Sequence, residues 1–253
     1  FFLEYIETKY KDRDQERPED NPHKTKQRQA DDHTEYGNER MGIRHFFLQD
    51  KTNDTQWAVW KVEESLEALL ALLPDARRVC CEQELLQFAS ERRKIEWLSV
   101  RVLLYFMLKE DKQIGYSSEG KPFLTDDSFF ISISHTKGYV AVILNPKTPV
   151  GIDIEQYGKR VHKVFDRFIR PDEQVEAYQG DTTWGGLLHW SAKETVFKCM
   201  KNADADLRKL CLSHFIPQKE GTFQVREYAT EGQSLFSVGY RICEDFVLTW
   251  TLC

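Results

Sequence analysis

Two carboxylates, Asp153 and Glu155, stand two residues apart in the stretch "VGIDIEQYGKR" (150–160), inside a Val/Ile run that reads as a buried strand. Residues i and i+2 of a strand share a face, so both acids project to one side, roughly 7 Å apart by strand rise. Such a pair has three uses. It can mark a strand end dipping into solvent, paired with the nearby Lys159 and Arg160. It can do acid/base work, as in glycosidases, where two carboxyls flank a bond. It can hold a hard cation, since Mg²⁺ takes oxygen ligands and keeps waters beside a few carboxylates. The spacing is a little close for the inverting acid/base arrangement and suits one ion.

A second charged cluster lies in "WSAKETVFK" (190–198). On a helix Glu194 and Lys198 are i,i+4 neighbours, and Lys193 falls on an adjacent face. Alone, this is a solvated helix face with one ion pair. Trp190, Val196 and Phe197 surround the charges with apolar surface, which is more typical of a helix lining a cleft.

Elements must bring these segments together. A strand-like "QWAVWKV" (56–62) is followed by a helical "EESLEALLALL" ending at Pro74 and by a second helix over 84–110, where Ile95, Leu98, Val102 and Phe106 recur at helical spacing. The turn "SSEGKPF" (117–123) leads to strands "FFISISH" (129–135) and "YVAVILN" (139–145), hinged at Lys137-Gly138. The second half opens with the strand at Val150. It continues with two helical pieces over 162–178 broken at Pro171, a helix from about Leu187, and three closing strands (222–227, 234–242, 246–252). The same order of elements occurs twice, about 100 residues apart, with no letter-by-letter repeat. The expectation is an α+β fold of two similar lobes, 41–147 and 148–253.

The 253 residues suffice for one large domain or two modest ones. Apolar residues make up 41% and charged residues 30%, the usage of a globular protein, and the net charge of −6 leaves no basic surplus for a general nucleic-acid binder. No apolar run reaches the roughly 18–20 residues of a membrane span, and the opening "FFLEYIETKYKDRDQ" lacks the basic head of a signal peptide. Residues 1–40 carry eight Lys/Arg and eleven Asp/Glu with few apolar side chains, so they are expected to be a disordered or extraneous extension, with Met41 as the natural start of the folded protein. Six cysteines without metal-ligand spacing suggest reduced thiols in a cytoplasmic protein.

Taken together, "GIDIE" and, about 40 residues on, "WSAKETVFK" resemble the G-x-D-x-E and W/F-x-x-K-E-x-x-K signatures of the 4′-phosphopantetheinyl transferases. Either motif alone is weak; the pair in this order and spacing is specific. Length and the doubled layout resemble the monomeric two-lobed class rather than the short trimeric one. "EGKPFL" (119–124), "ISISHTKG" (131–138), "SERRKIEWLSVR" (90–101) and "VFDRFIRPDE" (164–173) are similar to further family segments. The likeness is strongest over 117–200 and absent before Met41. Thr136, Thr195 and Ser132 stand where Ser, Ala or Ser, and Asn are commoner, which bears on substrate preference only.

The resemblance implies a fold of two lobes related by a pseudo-twofold. It implies transfer of phosphopantetheine from coenzyme A to a serine of an apo acyl or peptidyl carrier protein, releasing 3′,5′-ADP. Asp153, Glu155 and Glu194 would hold Mg²⁺ (or Mn²⁺), which would make three neighbouring carboxylates tolerable. Lys198 would offset charge on the leaving phosphate and Lys193 would pair with another phosphate oxygen. Arg93, with Arg92 as an equal candidate, would contact the nucleotide's phosphates together with Lys121 and His135, and Ser134 would donate a further hydrogen bond. Glu194 is the first choice of general base and His135 the second. The carrier would dock on "HKVFDRFIR" (Lys163, Arg167, Arg170, Phe165, Phe168), a spacing that a half-buried amphipathic helix explains equally well. No nucleic-acid or membrane partner is expected, and the chain is expected to be a monomer. The alternatives are an inactive coenzyme A or nucleotide binding module, a metal-independent hydrolase using Asp153 and Glu155, and a scaffold protein with no small-molecule site.

Overall fold

The computed structural model of the chain describes residues 46–52, 54–200 and 206–252. The expected extension over residues 1–40 and the start at Met41 lie outside them. Helix and strand are mixed in two antiparallel sheets, as an α+β fold requires. The first sheet has the order β1-β2-β6-β5, from β1 (Phe46–Thr52), β2 (Thr55–Lys61), β5 (Phe130–Thr136) and β6 (Tyr139–Asn145). The second has the order β7-β11-β10-β9-β8, from β7 (Val150–Gln156), β8 (Leu210–Leu212), β9 (Glu220–Glu227), β10 (Leu235–Ile242) and β11 (Phe246–Leu252). A small hairpin, β3 (Ile114–Tyr116) with β4 (Pro122–Leu124), precedes β5. In the first half the last strand, β6, returns after the helices to pair antiparallel with β2; in the second, β11 returns to pair antiparallel with β7.

Strand alternation divides the core. Trp57, Val59, Tyr139, Ala141 and Ile143 of the first sheet meet Val150, Ile152, Ile154, Phe246 and Leu248 of the second in one buried cluster. Trp57 packs on Trp250 and Tyr139 on Phe246, with ring centroids 5.0 and 4.9 Å apart. The Tyr139 hydroxyl also donates to Asp245 Oδ2 at 2.8 Å. The alternate residues Ala58, Trp60, Val140, Val142 and Leu144 face the helices α1 (Leu66–Ala71), α2 (Asp75–Leu85) and α3 (Glu91–Leu108). Both faces of β6 are therefore covered, and all seven of its residues are buried. On the second sheet, Val238, Tyr240 and Val247 pack against Leu188, Ala192 and Val196 of α5 (Thr182–Cys199).

Three expectations need correction. The single helix over 84–110 is two helices, α2 and α3. Ser90 takes an extended conformation at the start of α3, and the break folds Phe88 back onto Trp97, centroids 5.8 Å apart. In one straight helix those residues would be about 13.5 Å apart along the axis. No helix follows Pro171: the short α4 (Phe165–Phe168) ends before it, and the chain beyond is turns and irregular backbone up to the start of α5. α5 begins at Thr182 rather than near Leu187, capped by Asp181, whose side chain accepts from Thr183 N–H at 2.8 Å. Gly185 belongs inside it because a Cβ there would meet the Glu176 carbonyl oxygen at 2.0 Å. The thiol expectation is corrected as well. Cys80, Cys81, Cys211 and Cys243 are free, but Cys199 at the end of α5 is disulfide-bonded.

Candidate active site

The site is built where α5 crosses β7. On β7, residues 150, 152 and 154 point into the core between the sheets, so Gly151, Asp153 and Glu155 point toward the helix. Gly151 lets the two elements touch: a Cβ there would lie 2.2 Å from the Thr195 carbonyl oxygen. The helix is fastened along this line. Ser191 Oγ donates to the Asp153 carbonyl oxygen (3.3 Å) and Lys198 Nζ to the Ile152 carbonyl oxygen (2.8 Å).

Trp190, Glu194 and Lys198 form one i, i+4, i+8 row on α5. Its outer members reach the strand acids: Trp190 Nε1 donates to Glu155 Oε1 at 3.0 Å, and Lys198 Nζ pairs with Asp153 Oδ1 at 2.8 Å. Glu194 lies between them in the row and is only 4% exposed. The helix acid is thus on the face that meets the strand acids. Asp153 is fully buried and Glu155 nearly so.

Ser134 and His135 were expected to serve one ligand; the structure sends them to opposite faces of β5. Ser134 Oγ donates to Asp153 Oδ1 (2.7 Å) and accepts from Ile154 N–H (3.3 Å). On either side, Ser132 Oγ accepts from Ile152 N–H (3.2 Å) and Thr136 Oγ1 from Gln156 N–H (3.4 Å). The matching two-residue steps mean that β5 and β7 run in the same direction, with hydroxyls in place of backbone carbonyls between them. Ser134 is buried in this seam, so its carry-over as a phosphate donor is corrected.

His135 faces α3 instead, with Nε2 3.3 Å from Glu96 Oε2. Glu96 also takes Arg92 Nε (3.0 Å) and Arg93 Nη1 (3.1 Å). Burial pushes the Glu96 carboxyl up, but His135 and then Arg92 outweigh it and hold the group at about 2. Beside this cluster is a cavity of ≈ 200 Å³ whose lining includes Arg92, Glu96, Thr136, Lys137 and Gly138. Arg92 lines it, whereas Arg93 lies half-exposed on the helix and does not. Sequence reasoning missed Glu96, though its i,i+4 spacing from Arg92 was visible.

Two lysines are placed otherwise than expected. Lys193 is fully buried, pairing with Glu173 Oε2 (2.6 Å) and the Phe168 carbonyl oxygen (2.5 Å); burial lowers its pKa. It points away from the cleft, so its role as a phosphate ligand is corrected. Lys121 Nζ donates to the Met200 carbonyl oxygen just past the end of α5, and burial lowers its pKa too. It ties the β3–β4 hairpin to the helix end rather than standing as a surface cation. The "HKVFDRFIR" stretch divides likewise. Phe168 is fully buried, edge-on to Trp190 at 5.1 Å, and Arg170 is held by Asp172 and the Arg208 carbonyl oxygen, while Lys163 and Arg167 are exposed.

Among the described residues no three His, Cys, Asp or Glu side chains form a ready metal cage. The donors facing α5 are nonetheless carboxylate oxygens, with neither thiol nor imidazole contributed by β7. That fits Mg²⁺, which takes one or two protein carboxylates and fills its shell with water and substrate phosphate.

The comparisons with known proteins agree with the motifs. Residues 149–251 match the model of the 4′-phosphopantetheinyl transferase superfamily. A putative 4′-phosphopantetheinyl transferase of Haemophilus influenzae is 29% identical over 131 residues, covering 49% of this chain and 54% of the relative. The 4′-phosphopantetheinyl transferase AcpT of Escherichia coli K12 is 28% identical over 121 residues, covering 42% and 57%. The chain therefore spans about half the length of the curated relatives it matches. Among the described residues no helix is long and apolar enough to cross a membrane.

Proposed function

We propose that the protein transfers 4′-phosphopantetheine from coenzyme A to a serine hydroxyl of an apo acyl or peptidyl carrier protein, releasing 3′,5′-ADP. The observation that carries this reading is the Trp190–Glu194–Lys198 row, whose ends touch Glu155 and Asp153. It accompanies a family match over the same residues. We take the chain as two lobes, 41–147 and 148–253.

Asp153, Glu155 and Glu194 would hold Mg²⁺, or Mn²⁺, from β7 and α5. When bound, the ion would supply charge neutralisation at the pyrophosphate. Phosphoryl transfer depends chiefly on positioning and charge, so the remaining work falls to side chains. The serine oxygen bonds to the β-phosphorus as the pyrophosphate bridge breaks and 3′,5′-ADP departs with the bonding pair. Glu194 accepts the serine proton, directly or through a water. Lys198 is 18% exposed and reaches the cleft beside Asp153, where its ammonium can meet a phosphate oxygen. Arg92 and Lys137 at the cavity beside Glu96 suit an anionic part of the nucleotide. The exposed Lys163 and Arg167 suit an acidic carrier. We also propose that the enzyme works in the cytoplasm as a monomer.

The test is mass spectrometry of apo-carriers incubated with the protein, coenzyme A and Mg²⁺. A phosphopantetheine adduct on serine, lost with EDTA, is expected. Coenzyme A binding with no adduct on any fatty-acid, polyketide or nonribosomal-peptide carrier would favour the binding-module reading.

A further inference from the structure

We propose that Ser134 is a positioning residue for the metal-binding carboxylate: its hydroxyl, reaching across from the first sheet, fixes the Asp153 side chain in the orientation that receives the divalent ion. The inference rests on the reading of Asp153 as a metal ligand.

Three hydroxyls of β5 perform one task. Ser132, Ser134 and Thr136 accept the N–H groups of Ile152, Ile154 and Gln156, stitching the edges of the two sheets together. The Ser134 hydroxyl goes further, donating its proton to Asp153 Oδ1 at 2.7 Å. The result is a chain from the Ile154 N–H through the Ser134 hydroxyl to the Asp153 carboxylate, in which each bond polarises the next. Both Ser134 and Asp153 are buried, so the chain is shielded from bulk water.

Lys198 Nζ, from α5, meets the same oxygen, Oδ1, at 2.8 Å. A carboxylate gripped at one oxygen by a strand hydroxyl and a helix ammonium has its side-chain torsions set before any ion arrives. Partners of this kind, which orient a metal ligand without touching the metal, typically change metal affinity 10–100-fold when removed. Ser134 belongs to the first sheet and Asp153 to the second, so the placement of the two sheets also reaches the ion through this hydroxyl.

The neighbouring serine supplies the control. Ser132→Ala and Ser134→Ala each remove one hydroxyl that accepts a β7 amide, so both lower thermal stability, Ser134→Ala by more because its bond to Asp153 goes too. Mn²⁺ binding to the full chain, followed by calorimetry or electron paramagnetic resonance without coenzyme A, separates them. Ser134→Ala is expected to weaken Mn²⁺ about tenfold and Ser132→Ala less than about twofold. Ser134→Cys leaves no cavity and weakens the donor; it is expected to weaken Mn²⁺ too, and serves if the alanine variant does not fold. Wild-type affinity in the folded Ser134 variants, or equal losses at Ser132 and Ser134, overturns the proposal. Failure of the wild-type protein to bind Mn²⁺ would instead sink the metal reading itself, and this inference with it.

Discussion

The Thr195 carbonyl oxygen lies 2.2 Å from where a Cβ on Gly151 would stand. The obstacle is backbone, so no rotamer change on either residue relieves it. Gly151→Ala must push α5 off β7, stretching the Lys198–Asp153 and Trp190–Glu155 contacts together. Overpacking of this kind costs about 1–3 kcal/mol. The upper end is expected in urea unfolding, with transfer activity falling as well. Adding Thr195→Ala should restore neither, because it leaves the carbonyl in place. An unchanged unfolding midpoint for Gly151→Ala would contradict the contact.

That glycine shows what the sequence could and could not convey. "GIDIE" marks a strand by alternation, and its apolar residues 152 and 154 do face the core between the sheets. The helix carrying Glu194 was equally legible from its motif. Ser134 was not, because the resemblance gave it and His135 one shared ligand, whereas strand alternation sends the two apart. Lys193 was misplaced because Glu173, its partner, lies 20 residues earlier in a segment expected to be helical. That segment is not helical because Glu173 is held by the Leu212 N–H at 2.8 Å and Lys193 Nζ at 2.6 Å, tertiary bonds that outweigh local helix preference.

The burial of Lys193 separates a structural role from a phosphate-binding one. Lys193→Met leaves the Glu173 carboxylate in the interior without its cation, and breaking one side of a buried pair costs about 3–5 kcal/mol. Under conditions where the variant remains folded, its KM for coenzyme A should stay within about threefold of wild type. Glu173→Gln, which keeps an acceptor oxygen for one of the two amides, those of Leu212 and Arg170, should be milder than Glu173→Leu, which keeps none. A large KM increase for Lys193→Met with little loss of stability would return the lysine to the cleft.

Glu96 makes stability depend on pH at the acid end. Its carboxyl is held at about 2 in the folded chain against an ordinary value of 4.5. Between these values the unfolded chain binds more protons, so stability rises with pH across the window. The contribution is fully present above about 4.5 and is lost as pH falls through about 2. Glu96→Gln should flatten the unfolding free energy over that interval, by an amount on the order of 3 kcal/mol. Urea titrations at several acidic pH values measure it. Wild-type and variant curves running parallel from 4.5 downward would show that His135 and Arg92 do not hold the carboxyl down.

Glu194 and His135 compete for the serine proton, and their surroundings argue for different effects when each is removed. Glu194 sits between the residues that touch Glu155 and Asp153, while His135 turns to Glu96 beside the cavity. Glu194→Gln preserves shape and should preserve the fold by circular dichroism, yet lose ~10²–10⁴-fold in the rate of adduct formation on an apo-carrier. His135→Ala should chiefly raise the KM for coenzyme A, because it takes one of three partners from Glu96 at the cavity rather than removing a base from the acid cluster. The two variants are distinguished in single-turnover mass spectrometry at saturating coenzyme A. There the His135 variant should approach wild type and the Glu194 variant should not. The reverse result would move proton abstraction to the first sheet and leave Glu194 with metal binding alone.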